Sequence, residues 1–160
     1  MPKEAQTHNP IRVLLAAPSL RIIGGQSRQA VRLRELFRDE PAVKISVVPH
    51  NPELPGVLGW LQNIKYLRTL VTTIAYCLLL LVRVPKCDLV HIFSASYYSY
   101  LFCVAPAILT GKLFRKKVIL NYRSGEAEDH LQNWRTAIPT IKLADRIVVP
   151  SGYLVDVFAR

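Results

Sequence analysis

Apolar residues in this chain fall into two alternating kinds of segment. Short runs that are almost continuously apolar and rich in β-branched residues alternate with longer segments in which apolar residues recur every three or four positions. A short continuous run is typical of a strand covered on both faces, and the longer spacing is typical of an amphipathic helix. The predicted strands cover residues 11–17, 42–50, 87–94, 116–122 and 145–151.

This alternation predicts the fold class. Strands that alternate with helices form βαβ units, and their right-handed crossovers build a parallel sheet with helices on both faces. We therefore expect an α/β protein with a doubly wound, Rossmann-like parallel sheet. In such a sheet ligands bind at the carboxyl ends of the strands, so the residues that follow each strand are the candidate site.

The helical segments are expected between and after these strands. Ser27 is in a position to cap the first helix, and Ser151 the last. Proline interrupts two of the others, because it lacks the N–H that a helix interior needs: Pro106 predicts a kink and Pro139 a break. After the first helix, the predicted helices cover residues 60–84, 97–114, 126–143 and 152–160.

Residues 70–82 are the most apolar part of the chain and carry no charge. This segment is shorter than the ~20 residues that a helix needs to cross a bilayer. The pattern favours a helix of the protein core over a membrane span. A helix lying at a membrane interface, with basic residues at both ends, is the third interpretation.

Length and composition limit the remaining possibilities. A chain of 160 residues with 51% hydrophobic residues is enough for one domain, here residues 11–160, after a disordered tail of residues 1–10. The formal net charge of +10 suggests an anionic partner, either phosphorylated small molecules, anionic lipid or nucleic acid, unless it serves solubility alone. Because the basic residues are dispersed, no nucleic-acid partner is expected.

The cellular compartment is predicted from the cysteines and the first residues. Three cysteines without a paired spacing read as free thiols in a reducing compartment. The first ten residues lack the layout of a signal peptide. We therefore expect a cytoplasmic protein, either free or at the inner face of the membrane.

A glycine pair follows the first predicted strand. Gly24 and Gly25, with Gln26 and Ser27, stand where a helix N-terminus can present backbone N–H groups to a phosphate. An ordinary flexible loop is the alternative. The segment matches neither the Walker A pattern nor the dinucleotide-binding pattern, and no acidic residue closes the second strand.

Hydroxyl groups and rings follow the third predicted strand. Ser94, Ser96 and Tyr97 can hold a sugar or a head group, or the serines can cap the next helix while the tyrosine packs. Within the strand itself, His91 is expected to be a hydrogen-bonded core residue.

The segment after the fourth predicted strand holds the most polar cluster. Tyr122, Arg123, Ser124 and Glu126 are candidate acceptor contacts, and Arg123 is well placed to pair with phosphate or carboxylate. The acidic residues that follow can simply favour the helix dipole. His130 is either a catalytic base or an exposed polar residue, and Arg123 is the other catalytic candidate.

Four motifs in order resemble the N-terminal domain of family-4 glycosyltransferases, which are retaining enzymes of the GT-B fold. They are "IRVLLAAPS" with "GGQSRQA", "DLVHIFSAS", "KKVILNYRSGEAEDHL" and "ADRIVVPSGYLVDVFAR", and they span residues 11–160. Two departures stand out. Tyr122 and Arg123 occupy the region where the family often has a histidine, and Phe93 stands where many members carry a second one.

The resemblance implies an activity that composition does not. Such enzymes transfer a sugar from a nucleotide sugar to an acceptor, without an obligatory metal or other cofactor. It implies that Gly24 and Gly25 approach the donor phosphates and that this domain holds the acceptor, an envelope polysaccharide or a lipid-linked sugar. The family's donor-binding C-terminal domain has no counterpart in these residues, so little transferase activity is expected from this chain alone.

Two alternatives remain open from the sequence. The first is a non-catalytic Rossmann-like module that binds a phosphorylated ligand, the alternative to the leading glycosyltransferase interpretation. The second is a partner subunit at the membrane surface that completes a separately encoded donor domain. Both alternatives use the same glycine pair and the same positive charge.

Overall fold

The computed structural model describes residues 9–21, 24–65, 67–94 and 96–159, with the backbone alone at positions 57 and 58. In this part of the chain five strands form one parallel sheet in the order β2-β1-β3-β4-β5. This arrangement confirms the predicted doubly wound α/β fold. The order reverses between β1 and β3, which is the switch point of such sheets. The strands are β1 (Ile11–Ala17), β2 (Val43–Pro49), β3 (Leu89–Ser94), β4 (Lys117–Tyr122) and β5 (Arg146–Val148).

Helices connect the strands and flank the sheet. Two 3₁₀ segments, Gly56–Asn63 and Val84–Lys86, precede and follow the long second helix, and a π-helical turn, Tyr100–Val104, joins the third helix to the fourth. The helices are α1 (Gly25–Leu36), α2 (Leu67–Arg83), α3 (Tyr97–Ser99), α4 (Ala105–Leu113), α5 (Ala127–Asn133), α6 (Ala137–Ile141) and α7 (Gly152–Ala159).

The prolines act differently from the predictions. At Pro106 the irregularity is the π turn that ends two residues earlier, and the proline itself lies in the first turn of α4. The predicted break at Pro139 is wrong, because the chain breaks at Trp134 and Pro139 lies inside α6. It is the third residue of that helix, where a missing N–H leaves no intrahelical bond unmade.

Two hydrophobic clusters cover the two faces of the sheet. The larger one joins β1, β3 and β4 to α2, α4 and the C-terminal helices. The smaller one lies under α1 and contains Leu15, Ala17, Ala30 and Phe93. Because successive residues of a strand point to opposite faces, neighbours at a strand end belong to different clusters. The candidate site residues at the strand ends are therefore divided between the two faces of the sheet.

Helix α2 is buried along one narrow stripe only, so the prediction of a core helix holds for that stripe and not for the outer side of the helix. Tyr76 and Leu80 are fully buried, and the Tyr76 hydroxyl donates to the carbonyl of Cys103 at 3.0 Å. Leu70 and Leu78 are 58% and 57% exposed on its outer side. By length and hydropathy, residues 67–86 form the one helix of the described chain that could cross a membrane. Only 17% of the residues in its most apolar window are buried inside the protein.

Candidate functional site

The glycine pair lies at the switch point, beside the end of β3. Gly24 is the N-cap of α1, and its carbonyl accepts the first helical bond from the Arg28 N–H at 3.0 Å. The Gln26 side chain donates through Nε2 to the Ser94 carbonyl at 2.9 Å, which ties the start of α1 to the tip of β3. The first turn contains no acidic residue, so the positive end of the helix dipole is not neutralised there.

The prediction that Ser27 caps this helix is wrong. The helix begins at Gly25, three residues earlier than a Ser27 cap requires, and Gly24 makes no side-chain capping bond. Ser27 is instead 3% exposed inside the first turn. The early N–H groups of α1 therefore have no intrahelical acceptor and no side-chain cap from Gly24.

Neither position needs a glycine for its backbone conformation or for lack of space. Among the described residues, a Cβ at Gly25 would meet no atom within 4 Å, and one at Gly24 only Ser27 Oγ at 4.0 Å. Neither of the two has a positive φ. The lack of side chains thus leaves the backbone open, since Gly25 is exposed to solvent. Such openness suits close approach of a ligand to the N–H groups.

A polar network crosses the tips of β3 and β4 on the α1 face of the sheet. The Arg123 Nε donates to Asn121 Oδ1 at 2.8 Å, and Asn121 Nδ2 lies 3.3 Å from His91 Nε2. The Arg123 guanidinium lies 5.9 Å from the ring centre of Phe93, which stacks on His91. Within the described part of the chain the terminal nitrogens of Arg123 make no hydrogen bond, so they remain available to an anion.

His91 is hydrogen-bonded, as the sequence predicted, but it is half-buried and not a core residue. Burial, together with a smaller effect of the nearby Arg123 charge, lowers the pKa of His91 to about 4. At neutral pH the ring is therefore uncharged. Asn121 was missed as a site residue, although its position two residues before Arg123 on a strand places both side chains on one face.

A second cluster lies on the opposite face, around His130. The Tyr122 hydroxyl is 2.7 Å from His130 Nδ1 and 3.0 Å from Ser96 Oγ. His130 has no exposed surface, and its Nε2 has no hydrogen-bond partner in the described part of the chain. Burial lowers the pKa of His130, with the Asp129 carboxylate opposing the shift. Tyr97, Tyr100 and Trp134 surround its ring.

The burial of His130 changes what it can do. The interpretation of His130 as an exposed polar residue is wrong, since three aromatic rings and Tyr122 enclose it. A base in this position reaches substrate only through Tyr122 and Ser96. His130 and Arg123 also lie on different faces of the sheet, because Tyr122 and Arg123 are consecutive.

The candidate acceptor residues do not form one exposed surface. Ser94, Ser96 and Tyr122 are buried and connect the strand ends to one another. Ser124 Oγ accepts the Glu126 N–H at 3.3 Å, so the serine shapes the turn before α5. Glu126 is exposed.

Tyr97 has an unusual backbone for its side chain. Its φ is 55°, in the left-handed region that bulky residues rarely adopt, and its hydroxyl donates to the Asp129 carboxylate. Its neighbour Tyr98 is 69% exposed and packs edge-on against Trp134 at 5.3 Å. The strained turn therefore directs one tyrosine inward and presents the other to solvent.

Comparison with known proteins supports the fold class alone. No family model matches the chain, and no curated protein matches it. A solved structure titled as a conserved protein from Enterococcus faecalis V583 is similar over 94% of this chain and 98% of that chain, with a TM-score of 0.51 and 13% sequence identity. At this identity the likeness concerns architecture and carries no activity with it. Among the described residues, no three His, Cys, Asp or Glu side chains are grouped to hold a metal ion.

Proposed function

We propose that this chain is the acceptor-side half of a hexosyl-type glycosyltransferase that works with a nucleotide-sugar donor. The observation that carries the proposal is the open, uncapped start of α1 at the switch point. A sugar donor carries a diphosphate, and a helix N-terminus without acidic residues suits such a group. The order of the four motifs, from the glycine pair to the last helix, supports the same family of enzymes.

Arg123 supplies the cation in this proposal. Its Nε is fixed by Asn121, and its terminal nitrogens face the same side of the sheet as α1 and the Phe93 ring. A guanidinium held in one orientation pairs with a phosphate through two parallel bonds. We assign Arg123 to the charge that develops on the leaving diphosphate during transfer.

A non-catalytic module that binds a phosphorylated ligand is the second candidate. It is favoured by one observation: both anion-binding elements, the glycine pair and Arg123, belong to this chain. The two candidates differ in turnover. An enzyme releases nucleoside diphosphate when acceptor and donor domain are present, whereas a module only binds.

The Gly25→Val substitution tests the shared binding site. We expect binding of UDP-, GDP- or ADP-sugars and inorganic pyrophosphate, measured by calorimetry, to weaken about tenfold or more, because the side chain shields the N–H groups. Stability should change little, since no atom lies within 4 Å of that Cβ. Gly152→Val at the start of α7 is the matched control, as its Cβ is also unhindered. Equal affinity in the Gly25 variant, or no binding of any probe, would contradict the site.

We also propose that the chain is a cytoplasmic protein that rests on an anionic membrane. Helices α2 and α4 present a broad apolar surface, which we call the apolar face. Arg83, Lys86 and Arg115 stand near one end of the two helices, where they can pair with anionic head groups. The apolar face consists of Leu70, Ile74, Leu78, Leu81, Val82, Leu101, Phe102, Leu109 and Leu113.

Vesicle sedimentation tests this attachment. The protein should bind phosphatidylglycerol vesicles at low salt and release from them at high salt, because salt screens the head-group charge. Leu78→Asp should weaken partitioning about tenfold, as a charge would enter the interface. Leu36→Asp is the control, because Leu36 is 70% exposed but lies on α1. A protein that ignores anionic vesicles at low salt would exclude the attachment.

A further inference from the structure

A cavity of about 790 Å³ lies beside the carboxyl end of β2, apart from both clusters described above. It is bounded by the segment after β2, by the first turns of α2, and by the start of the π turn. Pockets of this size accommodate small ligands. Six of its lining residues carry the argument: His50, Gln62, Thr69, Thr72, Tyr98 and Phe102.

One wall of the cavity is polar and fixed in place. Gln62 donates through Nε2 to the Pro52 carbonyl at 2.8 Å and to Thr72 Oγ1 at 3.3 Å, while its Oε1 accepts the Leu54 N–H at 3.2 Å. Hydroxyl groups of α2 and an amide held in this way form a pre-organised set of donors and acceptors. Such a set suits a ligand rich in hydroxyl groups.

A second wall is aromatic. Tyr98 lines the cavity and is 69% exposed, with Trp134 packed edge-on behind its ring. The strained backbone at Tyr97 determines which of the two tyrosines faces outward. An exposed ring with a rigid support offers an apolar face and a hydroxyl to one ligand.

His50 adds an unsatisfied polar group to the lining. Its Nε2 is buried without a hydrogen-bond partner among the described residues, and its ring packs edge-on against Tyr76 at 5.6 Å. An unmade bond of this kind costs about 1–3 kcal/mol in folded proteins generally. Because Nε2 itself is buried, a ligand in the cavity would meet the rest of the His50 side chain and leave this atom covered.

The cavity is continuous with the apolar face. Phe102 belongs to both, being a lining residue and 36% exposed. Thr69 lines the cavity and the next residue, Leu70, is 58% exposed on the outer side of α2. The cavity, largely apolar but with the Gln62 and threonine groups on one wall, therefore opens directly beside an apolar surface.

We infer that the cavity takes the hydroxylated head of an amphiphile, whose apolar chain lies along Phe102 and the outer side of α2. The role of this amphiphile as the sugar acceptor rests on the proposed function above. The binding site itself does not depend on the proposed function. It differs from the acceptor positions expected from sequence, three of which are buried.

Matched methyl and octyl β-glycosides of glucose, galactose and mannose test the inference. The octyl glycosides are used below the concentration at which they form micelles, and amide shifts in ¹⁵N spectra report the residues affected. We expect an octyl glycoside to bind about tenfold tighter than its methyl partner, because the chain adds buried methylenes. Shifts should include both the cavity and the apolar face.

Three substitutions separate the contributions. Tyr98→Ala and Thr72→Val should weaken the methyl and octyl forms alike, by about fivefold or more, because both remove contacts to the head. Phe102→Ala should reduce the preference for the octyl form and leave the methyl form unchanged. Tyr153→Ala on α7 is the control, because Tyr153 is 53% exposed and does not line the cavity.

The outcomes are distinguishable. Octyl binding that shifts only the apolar face and survives Tyr98→Ala would show simple detergent adsorption and overturn the inference, as would no binding of any glycoside. Gly25→Val should leave glycoside binding intact. Glycoside binding without nucleotide-sugar binding would therefore refute the transferase proposal while preserving the amphiphile site.

Discussion

Lowering the pH from neutral to about 4.5 should reduce the free energy of unfolding by about 4 kcal/mol. Burial lowers the pKa of His50 and of His91 from the ordinary value of 6.5 to about 4. Both rings are therefore neutral in the folded chain at a pH where the unfolded chain binds protons. Each contributes about 2 kcal/mol to the loss, a large share of the stability of an ordinary domain.

The sign and window of this effect follow from the direction of the shifts. Since the folded pKa is lower than the unfolded one, the unfolded state binds more protons between about pH 6.5 and pH 4, and stability falls as the pH falls through that interval. The exposed carboxylates affect stability in a lower pH range. Asp88, bonded to Arg12, and Asp145, bonded to Lys112 and the Val118 N–H, have pKa values of about 2, so their contribution is lost only below about pH 4.

Urea titrations between pH 7 and pH 4.5, followed by circular dichroism, measure the effect. His50→Phe preserves a ring against Tyr76 and should remove about 2 kcal/mol of the pH dependence above pH 4.5, while the dependence due to His91 and His130 stays. Leu36→Asp, outside the core, should leave the dependence unchanged. A flat profile between pH 6.5 and pH 4.5 would show that neither histidine is held neutral by the fold.

Gly111→Val should destabilise the protein by about 3 kcal/mol. A Cβ at Gly111 would lie 2.7 Å from Val118 Cγ2 and 3.6 Å from Val90 Cγ2, where α4 packs on β3 and β4. Val118 and Val90 are fully buried, so neither can move without disturbing the sheet. Gly111→Ala combines two opposing effects. The added Cβ meets Val118, but alanine stabilises a helix interior by up to about 1 kcal/mol relative to glycine.

We expect the contact to outweigh that gain, so Gly111→Ala should be destabilising by about 1 kcal/mol. Val118→Ala should restore stability in the Gly111→Ala background, and the double-mutant cycle measures this coupling. Leu113→Val controls for β-branching in the same helix, since Leu113 is 68% exposed. A Gly111→Ala protein that is more stable than the wild type would show that α4 packs more loosely on the sheet than the 2.7 Å distance indicates.

The strands could be predicted to within a few residues because each is an apolar run bounded by polar residues. The helices could not be delimited as well. Residues 56–63 have an apolar helical pattern yet form a 3₁₀ segment, and Pro139 stands in the first turn of α6. The sequence shows that a proline is present, but whether it breaks a helix depends on where that helix begins.

The glycine pair and Arg123 were predictable because each follows an obvious strand. The burial of His130 was not, because its surroundings come from α3, the π turn and β4 as well as from its own helix. The cavity was missed for a similar reason. Its walls combine residues from 50–53, residue 62, and residues from 68–73 and 98–103, and only the fold brings these segments together.

Helix α2 connects β2 to β3, and helices in such crossovers run alongside the strands rather than across them. The apolar face is therefore parallel to the sheet, and the carboxyl edge stands at right angles to it. If the chain rests on that face as proposed, the cavity opens parallel to the membrane surface and close to it. An amphiphile could then place its head in the cavity without withdrawing its tail from the membrane.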